Sequence, residues 1–149
     1  MQRFQPIARG RCGLVGILLL VSLPCTAAGA EDYSDFPVLR GDYMGQSPPG
    51  MKAEPFAPGI ISRDGWELEG VFAPGMNEFY FTTKGGKYTR PTVIGFRQQD
   101  NVWKKYIEFT RNGEVAFSPD GNRMHMAEGY KDRMGDGWSA RQSLGPMFE

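Results

Sequence analysis

The feature that most constrains this chain is a repeat. Residues 71–83 read VFAPGMNEFYFTT and residues 116–128 read AFSPDGNRMHMAE, and the two align without a gap at an offset of 45. Phe72 matches Phe117, Pro74 matches Pro119, and Asn77 matches Asn122. After each turn the alternate positions are apolar, Phe79 and Phe81 in the first copy and Met124 and Met126 in the second. Each copy therefore reads as a strand, a proline-containing reversal and a second strand with one buried face. Proline presets φ at the first central position of a turn, and Gly, Asn and Asp tolerate the left-handed backbone that a reversal needs. Pro119-Asp120-Gly121-Asn122 fits this chemistry better than Pro74-Gly75-Met76-Asn77, so the two turns are expected to differ in type.

The surrounding chain has the same texture. Strands are expected over residues 78–83, over 92–98 with Thr92, Ile94 and Phe96 on one face, and over 102–110 after the turn signal Gln99-Asp100-Asn101. No window sustains a helical period, and the fold class is all-β with antiparallel strands. The first unit spans residues 66–110 and the second, shorter unit spans 111–149. From Phe72 to Trp103 is 31 residues, but from Phe117 to Trp138 only 21. Either one strand is missing from the second unit, or its second strand runs on through Gly129-Tyr130 and turns at Gly135-Asp136-Gly137. Residues 31–65 form a leader rich in Pro and Gly, irregular and packed on the domain, with Ile60-Ile61 as one short strand.

Ala116-Phe117-Ser118-Pro119-Asp120-Gly121, followed by Gly137-Trp138-Ser139 and Leu144-Gly145-Pro146, resembles the WD-repeat-like β-propeller repeat of TolB-like exported proteins. Val71 to Phe81 looks like a variant of the same unit. The resemblance covers about residues 66–149 and implies antiparallel propeller-type blades, about two repeats of an incomplete propeller. It implies a scaffold that binds a protein or a cell-envelope component, or else part of a propeller domain associated with a hydrolase whose catalytic domain is absent. A third turn of the series would fall near residue 154, past Glu149, so the chain is expected to be truncated, or to close a ring as a homo-oligomer.

Residues 1–30 have the layout of a secretory signal peptide. Arg3, Arg9 and Arg11 precede an apolar run from Leu14 to Val21, and Ala28-Gly29-Ala30 supplies small residues for cleavage. The run is too short to cross a bilayer about 30 Å thick, so no membrane span is expected after cleavage. Both cysteines, Cys12 and Cys25, lie inside this segment, which leaves the mature chain without a disulfide. Removing its three arginines leaves 14 basic against 17 acidic residues, a net charge of −3. A periplasmic or secreted location and this charge together argue against a nucleic-acid partner.

No residue is assigned as catalytic, cofactor-binding or metal-ligating, and no cofactor is expected. His125 aligns with Tyr80 inside a strand, and neither Ser118 nor Ser139 sits in a nucleophile motif that would pair with it. Asp132 and Asp136 flank Gly135 in a stretch able to bind Ca²⁺, but it lacks the alternation of an EF-hand loop and reads as a solvated turn. Trp103 and Trp138 recur at equivalent positions and read as packing residues, and Tyr106 and Tyr130 as ordinary strand aromatics. An exposed aromatic patch, for which Trp66 is available, would be the one hint of a ligand site. The protein is accordingly expected to be non-enzymatic. N-terminal sequencing of the secreted or periplasmic form is expected to begin at Glu31; a chain that still begins at Met1 would refute the cleavage.

Overall fold

Two turns with one hydrogen-bond pattern organise the strands. In the first, Ala73 N–H donates to Glu78 O at 3.0 Å and Met76 N–H to Ala73 O at 3.0 Å. In the second, Ser118 N–H donates to Arg123 O at 2.9 Å and Gly121 N–H to Ser118 O at 2.9 Å. The two sets are offset by 45 residues throughout. They differ in type at one position, where Gly75 has φ of 92° and Asp120 stays outside the left-handed region; the next residue is left-handed in both, Met76 at φ of 59° and Gly121 at φ of 70°.

The structure, a computed structural model, describes residues 38–147; the signal peptide expected over 1–30 and the start of the leader lie outside the described residues. The strands are β1 (Leu39–Arg40), β2 (Trp66–Phe72), β3 (Glu78–Gly85), β4 (Tyr88–Gln99), β5 (Val102–Thr110), β6 (Ala116–Phe117), β7 (Arg123–Met126), β8 (Gly129–Met134), β9 (Gly137–Trp138) and β10 (Gln142–Ser143). One sheet has the order β1-β5-β4-β3-β2 and the other β10-β8-β7-β6, with β9 also on β8. Every strand pairing is antiparallel. The described residues are thus mostly antiparallel β, with one short 3-10 turn of helix at Asp42–Gly45, consistent with the all-β class expected.

The sheets share a register. Phe72 faces Phe79 as Phe117 faces Met124, and Phe81 faces Ile94 as Met126 faces Gly129. No strand is missing from the second sheet, and its second strand does not run on. Instead β7 and β8 meet at Ala127-Glu128, so the twelve residues between Phe81 and Ile94 shrink to two. The second sheet is short because its hairpin is short. The Asp100-Asn101 turn has φ of 50° and 62°, the conformation a two-residue hairpin requires and these residue types tolerate.

The first sheet is covered on both faces. On one face Phe79, Phe81, Ile94, Phe96 and Trp103 pack with Met44, Ala57, Ile60 and Ile61 of the leader. Ile60 and Ile61 are buried in a turn, with both amides donating to Ala57 O, and not in the short strand expected there. The strand that the leader does form is β1, pinned to β5 by Trp103 Nε1–H donating to Gly41 O at 2.7 Å. On the other face Val71, Tyr80, Val93 and Ile107 pack with Val115, Phe117, Met124 and Trp138 of the second sheet. The outward face of the second sheet is polar: Arg123 Nε donates to Asp132 at 2.7 Å, its guanidinium lies 4.0 Å from the Tyr130 ring centroid, and Tyr130 reaches Gln142.

Gly95 sits at a crowded point between Tyr80 and Ile107. A Cβ there would fall 2.5 Å from Ile107 Cγ2 and 2.8 Å from Tyr80 Cε1. Gly95→Ala is therefore expected to cost about 1–3 kcal/mol through overpacking, read as a lower urea midpoint; an unchanged midpoint would show that Tyr80 is free to yield.

Candidate functional site

A buried carboxylate joins the two sheets. Glu78, at the start of β3, is 3% exposed. Arg97 of β4, its cross-strand partner, donates from Nε at 2.9 Å. Arg133 of β8 donates from Nη1 at 2.9 Å and Nη2 at 3.2 Å, across the intersheet boundary. Tyr80 Oη–H donates to the same carboxylate at 2.6 Å and Tyr106 Oη–H at 3.1 Å, the two hydroxyls also touching. Trp138 Nε1–H donates to Tyr80 Oη at 3.0 Å and to Tyr106 Oη at 3.2 Å.

Local geometry delivers each member. The register between β4 and β5 slips after Gly95, leaving Tyr106 as the extra residue of a bulge that turns it onto the intersheet face beside Ile107. The Arg97 guanidinium lies 4.0 Å from the Tyr106 ring centroid and that of Arg133 lies 4.2 Å from Trp138, so each cation is held by an aromatic face as well as by Glu78. Arg97 Nη1 donates to Asp136 O at 2.6 Å and Arg133 Nε to Gly121 O at 3.1 Å. These bonds anchor two turns of the second sheet, the one at Gly121 and the one at Asp136. Burial pushes the Glu78 carboxyl up, but hydrogen bonds from Arg133 and Tyr80 and the two guanidinium charges outweigh it and hold the group below the usual carboxylate range. Burial and the adjacent carboxylate push the Tyr80 hydroxyl far up, so it stays a donor.

Two recesses open near these elements. Over the network lies a polar cleft of about 370 Å³ between the proline turns, bordered by Pro74, Asn77, Asp120 and Gly121. The larger recess, about 780 Å³, lies under the loop of residues 46–56. Its floor is aromatic: Phe72 meets Tyr43 edge-on at 5.8 Å and Phe56 at 5.9 Å. Gln46 fastens the neck of the loop, accepting from Ala57 N–H at 2.9 Å and donating to Pro55 O at 3.3 Å. Residues 47–55 arch outward, all exposed.

The residues weighed from sequence are placed as follows. No hydrogen bond among the described residues joins His125, half-buried on the polar outward face, to Ser118 or Ser139. Ser118 accepts from Arg123 N–H at 2.9 Å inside its turn. Asp132 is paired with Arg123, and among the described residues no three His, Cys, Asp or Glu side chains converge as a metal site would require. Trp103 and Trp138 stand against Phe72 at 6.2 Å and Phe117 at 5.9 Å, equivalent contacts of the two repeats. Trp66 is 46% exposed. Tyr106 is no ordinary strand aromatic, since it belongs to the Glu78 network. Glu78 and Arg133 lie 55 positions apart and no local pattern links them.

Glu78→Gln keeps the shape but leaves the buried Arg97 and the half-buried Arg133 short of their counter-charge, an expected loss of about 3 kcal/mol in urea unfolding. Because the folded carboxyl sits below its unfolded value of 4.5, its contribution is complete above that pH and is lost as pH falls through the folded value. Stability should therefore fall less steeply below pH 4.5 in the variant, the remaining slope coming from the other carboxylates held low, such as Glu69 and Glu108; a wild-type slope there would remove Glu78 as the cause. Compared with known proteins, the chain matches no family model, no curated protein and no solved structure.

Proposed function

We propose that this chain is an exported, non-enzymatic β-propeller-repeat protein of TolB-like type, a periplasmic or secreted scaffold that binds a protein or envelope component. Each sheet is read as one blade, its strands following one another outward from β2 and from β6. Support for the repeat comes from the shared register and shared turn bonds. A further copy meeting the second sheet would face the Arg123–Asp132 pair and Tyr130, so ring closure as a homo-oligomer would run through polar contacts.

The observation that carries the binding reading is the aromatic-floored recess beneath residues 46–56. Tyr43, Phe56, Phe72 and three prolines, Pro48, Pro49 and Pro55, give it surfaces that hold a partner by contact area, with Lys52 and Glu54 on its lining as well. Gln46 keeps the loop arched, so the recess is present before any partner arrives. An extended polypeptide segment with an apolar side chain fits such a floor.

A photo-crosslinking residue in place of Met51, on the exposed rim, should yield one discrete adduct in the envelope fraction, whereas the same residue at Met134 should not. Phe56→Ala should weaken that adduct about fivefold, ~1 kcal/mol, with the β-sheet circular dichroism unchanged. Equal adducts at both positions, or none at Met51, would overturn the assignment.

A further inference from the structure

The ten residues by which the first repeat exceeds the second lie in one place, the β3–β4 hairpin between Phe81 and Ile94. That extension carries Lys84, Lys87 and Arg90 and no acidic residue, in a mature chain whose net charge is negative. All three are exposed. Among the described residues no carboxylate lies within ion-pair distance of any of them, whereas Arg97, Lys105 and Arg111 of the same sheet are each paired. Beside the tip runs a groove of about 330 Å³ of mixed charge, bordered by Asp64 and Glu67 as well as by Arg63, Lys84, Lys87 and Tyr88; the indole of Trp66 lies outside it. Arg63 is not a free cation there: it donates to Thr83 Oγ1 at 2.8 Å and is matched by Glu67 at 3.7 Å, so the unpaired charge of the tip is that of the hairpin residues.

Trp66 gives this cationic tip a second chemistry. It is the cross-strand partner of Lys84, and directly opposed residues of an antiparallel pair present their side chains on the same face. Trp66 is 46% exposed while Trp103 is buried and packed, so the chain leaves one tryptophan in water beside an unpaired lysine. An indole face receives the C–H face of a sugar ring, and an adjacent ammonium receives a carboxylate on that ring. At the turn itself Gly85 and Gly86 have open space where a side chain would stand, so a ring can approach the backbone. A lipid surface is a poorer match: with Arg63 matched by Glu67 the tip keeps three unpaired cations, whereas juxtamembrane adsorption uses clusters of about four to eight basic residues, and the turn itself shows Gly and Thr.

We propose that the β3–β4 hairpin tip, through Trp66, Lys84 and Lys87, binds an acidic glycan, its uronate-type carboxylates meeting the lysines and its ring stacking on the indole. The site shares no lining residue with the recess under residues 46–56, so either reading stands or falls without the other.

The test uses the full mature chain and oligogalacturonate, read by calorimetry and by protection of Trp66 from acrylamide quenching. Expected are saturable binding that weakens with salt, protection of the exposed tryptophan, and a loss of about tenfold or more in Lys84→Gln/Lys87→Gln and in Trp66→Ala. Both variants alter exposed side chains, and unchanged thermal unfolding confirms that each is folded. A neutral dextran oligosaccharide should not bind. The proposal is overturned if oligogalacturonate fails to bind, if the variants bind as the parent does, if dextran binds equally, or if the chain instead sediments with vesicles rich in phosphatidylglycerol.

Discussion

A carboxylate taken out of water costs several kcal/mol unless other groups replace its hydration. Glu78 is nearly inaccessible, and five donors from two sheets do the replacing. The arrangement is demanding in both directions. Remove Arg133 and the carboxylate loses its bonds from the second sheet; remove Glu78 and two guanidinium groups are left against aromatic faces with less counter-charge. The apolar contacts of Tyr80, Met124, Phe117 and Trp138 supply adhesion between the sheets, but adhesion alone permits sliding. Directional bonds at Glu78 fix where the second sheet sits on the first, and with it the proline turns and the polar cleft above them.

Backbone irregularities are what bring these groups together. In a regular β5 the neighbours Tyr106 and Ile107 would point to opposite faces; the bulge lets both stand on the intersheet face, Ile107 in the apolar cluster and Tyr106 at Glu78. A second irregularity in β2, between Leu68 and Val71, holds Glu69 at φ of 61°. There its carboxylate accepts from Thr82 at 3.0 Å and from Arg111 Nε at 2.8 Å. Arg111 opens the link to the second repeat, so this pair fastens the connection to the far edge of the first sheet. Hydrogen bonds with Arg111 hold Glu69 below the usual carboxylate range despite the cost of burial.

What the sequence disclosed follows from what is local. The offset of 45 was legible because turn chemistry and strand alternation are short-range, and Trp103 and Trp138 were legible as equivalent from their order after the turn, although their distances from Phe72 and Phe117 differ. The strand bounds from Val102 to Thr110 were legible because Asp100-Asn101 marks its start. The β7–β8 reversal was not, since Ala127-Glu128 carries no turn signature, and a short hairpin was taken for a lost or extended strand. Ile60-Ile61 have the β-branched look of a strand but serve as apolar anchors under a turn. The Glu78 network was invisible because it needs a bulge and a contact between repeats, neither of which has a sequence period. The hairpin tip was half visible: Trp66 stood out as an available aromatic, but its neighbour Lys84 is set by register.

The paired charges of the two repeats also bear on how tandem copies avoid one another while folding. Glu78 faces Arg97 in the first sheet, and at the equivalent positions of the second Arg123 faces Asp132. The signs are reversed. Two repeats with the same turns and the same apolar alternation invite exchange, in which a strand of one copy pairs with the matching strand of the other. Here that exchange is penalised by charge. A β3 laid against β8 would set Glu78 opposite Asp132, and a β7 laid against β4 would set Arg123 opposite Arg97. Like charges directly opposed are unfavourable in an antiparallel pair. Each repeat thus carries a polarity that identifies its own strands, and the correct hairpin is the one in which the charges cancel.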